Sequence, residues 1–90
     1  METSKLLAHL ISLGLTPGSS AFLVKLFQDA PNWSGQPMLD FVTPADKGNI
    51  TDLKRKKLIS TNVEEGCTFV WFHDEARSIA AAFGIDLGIF

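Results

Sequence analysis

The sequence has few of the features that define disulfide-rich, zinc-binding, membrane and secreted proteins. Only one of its 90 residues is cysteine, which excludes an internal disulfide and an all-cysteine zinc site and favours a reducing compartment. No apolar run approaches the roughly 18 residues that cross a membrane. The N-terminus, with one lysine and an apolar stretch interrupted by His9, is unlike a secretion signal. We therefore expect a cytoplasmic protein with no membrane partner.

Disorder is excluded by what the chain does contain. Apolar residues make up 46% of it, seven of them Phe, and the net charge is only −2. Ninety residues are enough for one modest core, so a single domain over residues 1–90 is expected.

Apolar spacing and local start and stop signals predict a mainly α-helical domain with a small β-hairpin, an α+β class. Thr16-Pro17 and Thr43-Pro44 are typical helix starts, and Gly14 and Gly84 are typical helix ends. The helices are predicted at about 4–13, 17–29, 37–42, 44–56 and 74–83. The hairpin is predicted over about 59–72, with its turn at Glu64-Glu65-Gly66, and 31–37 is a predicted loop.

The charge is unevenly distributed along the chain. Between residues 43 and 60, five lysines and arginines stand against two aspartates, a net charge of +3. The remaining residues have three basic and eight acidic side chains, a net charge of −5. A solvated lysine-rich helix explains such a cluster in many proteins. A basic element on an acidic body is also the electrostatic footprint of a nucleic-acid-binding protein.

The basic element carries a resemblance to a known family. Its sequence, Gly48-Asn-Ile-Thr-Asp-Leu-Lys-Arg-Lys-Lys-Leu-Ile59, resembles the end of the recognition helix in MarR-like winged helix-turn-helix regulators. Phe72-His-Asp-Glu-Ala76 is similar to that family's entry into the next helix. The resemblance covers roughly half of the chain. It implies a winged helix-turn-helix fold, double-stranded DNA as partner and a transcriptional role.

Three features depart from the family pattern. Lys57 replaces a glycine at the helix end, which costs about 1 kcal/mol in a left-handed conformation, so a different helix end is expected. The helix is also about one turn shorter. Finally, the wing tip Val63-Glu64-Glu65-Gly66 is acidic where the family commonly has basic residues.

The helical periodicity assigns a role to each residue of this segment. Ile50 and Leu53 mark the buried side. The candidate base readers in a DNA major groove are Asn49, Thr51, Asp52 and Arg55. The candidate phosphate contacts are Thr43, Lys47, Lys54, Lys56 and Lys57. Two alternatives stay open: Asn49 as a turn or cap residue, and Asp52 as an ion-pair partner of Lys56.

No other group of residues in the sequence predicts a catalytic or metal-binding site. His9, in a leucine-rich helix, is interpreted as a partly buried structural residue, and His73-Asp74-Glu75 as a helix start. Cys67 alternates with apolar residues on one strand face, which favours a packed thiol. Without a phosphate loop or nucleophile elbow, we expect no enzyme, cofactor or metal site.

Surplus apolar surface predicts a protein interface. Trp33 and Trp71 or Phe72 exceed what so small a core can bury, and the tail 85–90 is apolar. A homodimer is expected, since helix-turn-helix proteins commonly pair on two half-sites. The tail is either a partner-binding segment or packs back on the first helix.

The predicted function is sequence-specific double-stranded DNA binding by a small regulator. The alternative is a winged-helix interaction module, a subunit of an assembly or a small phage-type inhibitor, which needs no DNA. RNA binding through the basic helix is a minor third possibility, because the sequence lacks an aromatic stacking platform.

Overall fold

Four helices and three strands follow one another in the computed structural model, which describes residues 3–39 and 43–88. The helices are α1 (Thr3–Ser12), α2 (Pro17–Asp29), α3 (Pro44–Arg55) and α4 (Asp74–Ala82). The strands are β1 (Met38–Leu39), β2 (Ile59–Glu64) and β3 (Cys67–Phe72), and a 3-10 helix at Ala30–Trp33 extends α2 into the predicted loop. This confirms the α+β class and the hairpin. None of the helices in the described ranges has the length and apolar character needed to cross a membrane.

The three strands form one antiparallel sheet in the order β1-β3-β2. In the hairpin, Ile59 pairs with Phe72 and Glu64 with Cys67. Glu65 and Gly66 make the turn, and both have positive φ, of 52° and 80°. Positive φ at both central positions is the pattern of a two-residue type I′ turn, which suits the twist of a hairpin.

The prediction of a short helix at 37–42 is wrong for Met38 and Leu39, which form β1. The Pro37 carbonyl accepts a hydrogen bond from the Val70 N–H at 2.8 Å, and Met38 and Leu39 then pair with Phe69 and Thr68. This pairing with a distant strand overrides the local helix-start signal of Pro37. Residues 40–42 of the predicted helix lie outside the described residues.

The core lies between the helices and the inner face of the sheet. Leu6 and Leu10 of α1 contribute to it, with Leu23 and Phe27 of α2 and Leu53 of α3. Beneath them, Phe72 of β3 packs its ring 5.2 Å from that of Phe27, measured between centroids. Phe72 is therefore a core residue and not part of the surplus apolar surface. Ile11 and Leu13, which share the apolar spacing of α1, are exposed instead.

Candidate functional site

The first turn of α3 is fixed by a reciprocal pair of hydrogen bonds. The Thr43 hydroxyl accepts from the Asp46 N–H at 3.1 Å, and the Asp46 carboxylate accepts from the Thr43 N–H at 3.4 Å. Together with Pro44 at the first helical position, this capping box holds the helix start in place. Thr43, predicted to contact a phosphate, is exposed and keeps its hydroxyl proton for a further partner.

The last turn of α3 ends in a left-handed residue, although that residue is not glycine. Lys57 has a φ of 59°. Its N–H donates to the Lys54 carbonyl at 3.0 Å, and the Leu58 N–H donates to the Leu53 carbonyl at 3.1 Å. These two bonds are those of a Schellman motif. The expectation that lysine would end the helix differently is therefore wrong, because burial of Leu53 and Leu58 accompanies the motif.

The outward side of α3 presents a surface that we call the basic face: Lys47, Gly48, Thr51, Lys54 and Arg55. All five residues are exposed, whereas Ile50 and Leu53 are buried on the opposite side. A β-carbon at Gly48 would meet no atom within 4 Å, so the backbone there is open to close approach. Within residues 3–39 and 43–88, no carboxylate forms an ion pair with Lys47, Lys54 or Arg55. Their charged groups therefore face solvent and make no ion pair with a described residue.

Thr51 is the polar, uncharged member of the basic face. Its hydroxyl donates to the Lys47 carbonyl at 2.9 Å, one turn earlier in the helix. The hydroxyl oxygen keeps its lone pairs, so Thr51 can accept a hydrogen bond from an external donor without losing this one. The helix therefore fixes the position that such an external donor must occupy.

Asn49 is turned towards α2 instead of the basic face. Its side-chain oxygen accepts from the hydroxyl of the buried Ser19 at 3.3 Å, and Ser19 in turn accepts from the Thr16 hydroxyl at 3.0 Å. The side chain also lies against Gly18, where a β-carbon would come within 3.1 Å of the same oxygen. This network joins the start of α2 to the middle of α3. Sequence reasoning missed it, because the start signal at Thr16 gives no sign of a contact with a residue so distant in sequence.

Asp52 and Lys56 lie beside the basic face. Asp52 is half-buried, and its Oδ2 atom is buried with no hydrogen-bond partner. In the described part of the chain Asp52 and Lys56 form no ion pair. The Lys56 ammonium lies beside Gly14, where it would be 3.2 Å from a β-carbon at that position. A cation is favourable there, because Gly14 follows the carboxyl end of α1. The exposed Lys57 lies beyond the helix.

The hairpin next to α3 has an acidic tip. Glu64 and Glu65 are both exposed, and the Asn62 amide donates to the Glu64 carboxylate at 3.0 Å. No lysine or arginine occurs between residues 58 and 76. The tip therefore adds negative potential beside the positive helix.

Aromatic side chains occupy the outer face of the sheet. Trp71 and Trp33 each have 40% of their surface exposed, and the Trp33 ring meets Phe69 edge-on at 6.4 Å. Cys67 is half-buried on the same face. His9, expected to be partly buried, is exposed, with its ring 5.5 Å from that of Phe83. Among the described residues, no three His, Cys, Asp or Glu side chains come together as a metal ion would require.

The apolar tail packs on the body of the protein as far as it is described. Leu87 is buried and Ile85 packs against the core. Gly88 lies against the backbone of Pro31, with no room for a β-carbon between them. Leu87 is therefore unavailable to a partner and Ile85 is half-covered, while residues 89–90 lie outside the described residues.

Compared with models of known protein families, with curated proteins and with solved structures, the chain matches none of them.

Proposed function

We propose that this protein is a small cytoplasmic transcriptional regulator of the winged helix-turn-helix type, which binds double-stranded DNA with α3 in the major groove and acts as a homodimer. The observation that carries the proposal is the basic face. Lys47, Lys54 and Arg55 project from one exposed side of a capped helix, and no described carboxylate forms an ion pair with them. Phosphate neutralisation by such cations supplies most of the affinity in protein–DNA binding.

The positions of the side chains assign roles within this proposal. Arg55 and Thr51 reach the bases, because arginine pairs with guanine and a hydroxyl bonds to either base edge. Lys47 and Lys54, which lie two turns apart on one side of the helix, contact phosphates along one edge of the groove, with Lys57 and Thr43 as further phosphate contacts at the helix ends. Gly48 admits the DNA close to the backbone. Asn49, which Ser19 holds, orients α3 and does not read a base.

Asp52 and the hairpin tip limit the binding mode. Half-buried Asp52 accepts from a cytosine amino group at the edge of the groove, whereas Lys56 contacts a phosphate from its place beside α1. The acidic tip, Glu64 and Glu65, is repelled by phosphates, so the hairpin does not insert into an adjacent groove. DNA contact is then confined to α3 and the residues that cap it.

The test is the salt dependence of duplex binding. With about three to four phosphate contacts per subunit, log affinity should fall against log salt concentration with a slope of about −3 per subunit. Binding of a labelled mixed-sequence duplex is measured by fluorescence anisotropy across a salt series. The Lys54→Glu/Arg55→Glu double variant should lose binding and the salt dependence with it.

A matched control separates the basic face from overall charge. Lys25→Glu/Arg77→Glu makes the same change in net charge at two exposed residues of α2 and α4. This variant should bind with the slope of the wild type and at most a severalfold weaker affinity. Equal and negligible binding by wild type and the Lys54→Glu/Arg55→Glu variant would refute the proposal.

A second function is favoured by the outer face of the sheet. The exposed Trp33 and Trp71, together with the acidic tip, suit a protein-interaction module of the same fold. In that case the basic face docks on an acidic protein surface. A single stoichiometric protein partner, lost in the Lys54→Glu/Arg55→Glu variant and accompanied by no salt-sensitive DNA binding, would decide for this function.

A further inference from the structure

The outer face of the sheet carries three aromatic side chains in one group. Alternate residues of a strand point to the same side, so Phe69 and Trp71 share this face, with their α-carbons about 7 Å apart. Trp33 joins them, because its ring meets Phe69 edge-on at 6.4 Å between centroids. Both tryptophans are exposed and Phe69 is half-buried. We call these three residues the aromatic row.

An open hollow adjoins the aromatic row at the tip of the hairpin. Its volume is about 580 Å³, and it is lined by Glu64, Glu65, Cys67 and Phe69. The strand register explains this arrangement, because Glu64 pairs with Cys67 and therefore shares the outer face with Phe69. The hollow thus combines an apolar ring with two carboxylates.

Both carboxylates of the hollow can take a further partner. In the part of the chain that the structure describes, neither Glu64 nor Glu65 forms an ion pair. Glu64 accepts one hydrogen bond, from the Asn62 amide at 3.0 Å, and an ionised carboxylate has sites for several more. No lysine or arginine occurs over residues 58–76, so no cation of the hairpin neutralises the two carboxylates.

We propose that this hollow binds an arginine side chain presented by a basic segment of a partner protein. Charge complementarity identifies this occupant, because two carboxylates attract a cation and repel anions such as phosphates. The aromatic ring favours arginine among the cations. A guanidinium is planar and weakly hydrated, stacks on aromatic rings and donates two N–H groups to a carboxylate. In the hollow it packs against Phe69 and pairs with Glu64 and Glu65.

This inference rests on the protein-interaction role given above to the outer face of the sheet, and not on DNA binding. The hollow and the basic face of α3 have opposite charges, so they take different partners. The Lys54→Glu/Arg55→Glu variant should lose DNA and still bind an arginine peptide at least as tightly as wild type. Loss of the peptide in this variant would overturn the hollow as its site. Peptide binding by a wild type that binds no DNA would overturn only the DNA-binding proposal.

The probe is the acetylated and amidated peptide Gly-Arg-Gly-Arg-Gly, titrated into isotope-labelled protein. The chain has two tryptophans, so the indole N–H signals in its nuclear magnetic resonance spectrum report on the aromatic row alone. The signal of Trp33, which contacts Phe69, should shift and saturate with peptide concentration. Citrulline in place of both arginines keeps the shape without the charge, and should raise the dissociation constant at least about tenfold. Lysine in their place should raise it about threefold.

Two variants test the carboxylates and the ring separately. Glu64→Gln should raise the dissociation constant of the arginine peptide about threefold to fivefold. Its matched control is Glu75→Gln, the same change at an exposed residue of α4, which should have less than about a twofold effect.

Phe69→Leu keeps an apolar side chain in the hollow and removes the ring. It should weaken peptide binding about threefold to fivefold. Phe22→Leu, at a half-buried phenylalanine of α2, is the matched control and should bind like wild type. Circular dichroism checks that each variant is folded, and the citrulline peptide tests the site in the unaltered protein.

Three results would each overturn the site. The first is a wild type whose indole signals do not shift with the arginine peptide. The second is a citrulline or lysine peptide that binds as tightly as the arginine peptide. The third is a folded Glu64→Gln or Phe69→Leu variant that binds no more weakly than its control.

Discussion

At the residue scale, Asn49 shows how one side chain can have two incompatible interpretations. In sequence it belongs to a stretch of polar residues typical of a DNA-reading helix. In the structure its oxygen bonds to Ser19, a buried residue of α2. A side chain held in this way sets the position of α3 and, through it, the direction in which Lys54 and Arg55 point.

Asn49→Ala should therefore act on stability. It leaves the buried Ser19 hydroxyl without an acceptor, so the free energy of unfolding should fall by about 1–2 kcal/mol. Ser19→Ala should cost a similar amount, and the double variant less than the two together, with a coupling of at least about 0.5 kcal/mol. Urea unfolding measures all three. As a control, Lys54→Ala should change stability by no more than about 0.5 kcal/mol. An Asn49→Ala variant as stable as wild type would return Asn49 to the candidate base readers.

At the element scale, three helices end in the same way with two different residue types. Gly14, Gly84 and Lys57 occupy the left-handed position after α1, α4 and α3, with φ values of 96°, 71° and 59°. In each case the N–H of the next residue, Leu15, Ile85 or Leu58, donates to the carbonyl five residues earlier. Glycine adopts this conformation without strain, whereas the β-carbon of lysine makes it cost free energy.

Lys57→Gly should consequently stabilise the protein. Relief of the left-handed strain, about 1–2 kcal/mol, exceeds the extra unfolded-state entropy of glycine, about 0.4–1 kcal/mol. The expected net gain is about 0.5–1 kcal/mol in urea unfolding at low protein concentration. Lys57→Ala is the matched control, because it removes the same charge and keeps the β-carbon. If the two variants were equally stable, the left-handed conformation of Lys57 would not be strained.

At the scale of the whole molecule, the described part of the tail, residues 85–88, packs on the 3-10 helix that follows α2. Gly84 and Gly88 both have positive φ, 71° and 73°. A β-carbon at Gly84 would meet nothing within 4 Å, but one at Gly88 would lie 2.8 Å from the Cα of Pro31. The two glycines therefore share a backbone conformation and differ in their surroundings.

Alanine substitutions should separate these two effects. Gly84→Ala should cost about 1 kcal/mol, the conformational penalty alone. Gly88→Ala should cost at least about 1 kcal/mol more, because the tail must move away from Pro31 or distort it. The midpoint and slope of urea unfolding give both values. Equal costs would show that the tail does not pack on Pro31.

The sequence by itself determined the elements whose signals are local. Thr16-Pro17 and Thr43-Pro44 start α2 and α3, and Glu65-Gly66 turns the hairpin, because caps and tight turns are satisfied by residues a few positions apart. The exposure of Arg55 also followed from sequence, since helical periodicity places it opposite Ile50 and Leu53.

Only the tertiary structure decided what depends on distant contacts. β1 exists because Pro37 reaches Val70, Asn49 faces inward because Ser19 lies beneath it, and the tail is covered because it meets Pro31. The division of charge into +3 and −5 was visible in the sequence, but only the structure shows that Lys47, Lys54 and Arg55 share one exposed side of α3. Local signals fix short-range backbone geometry, whereas packing and strand pairing join residues whose proximity no local pattern encodes.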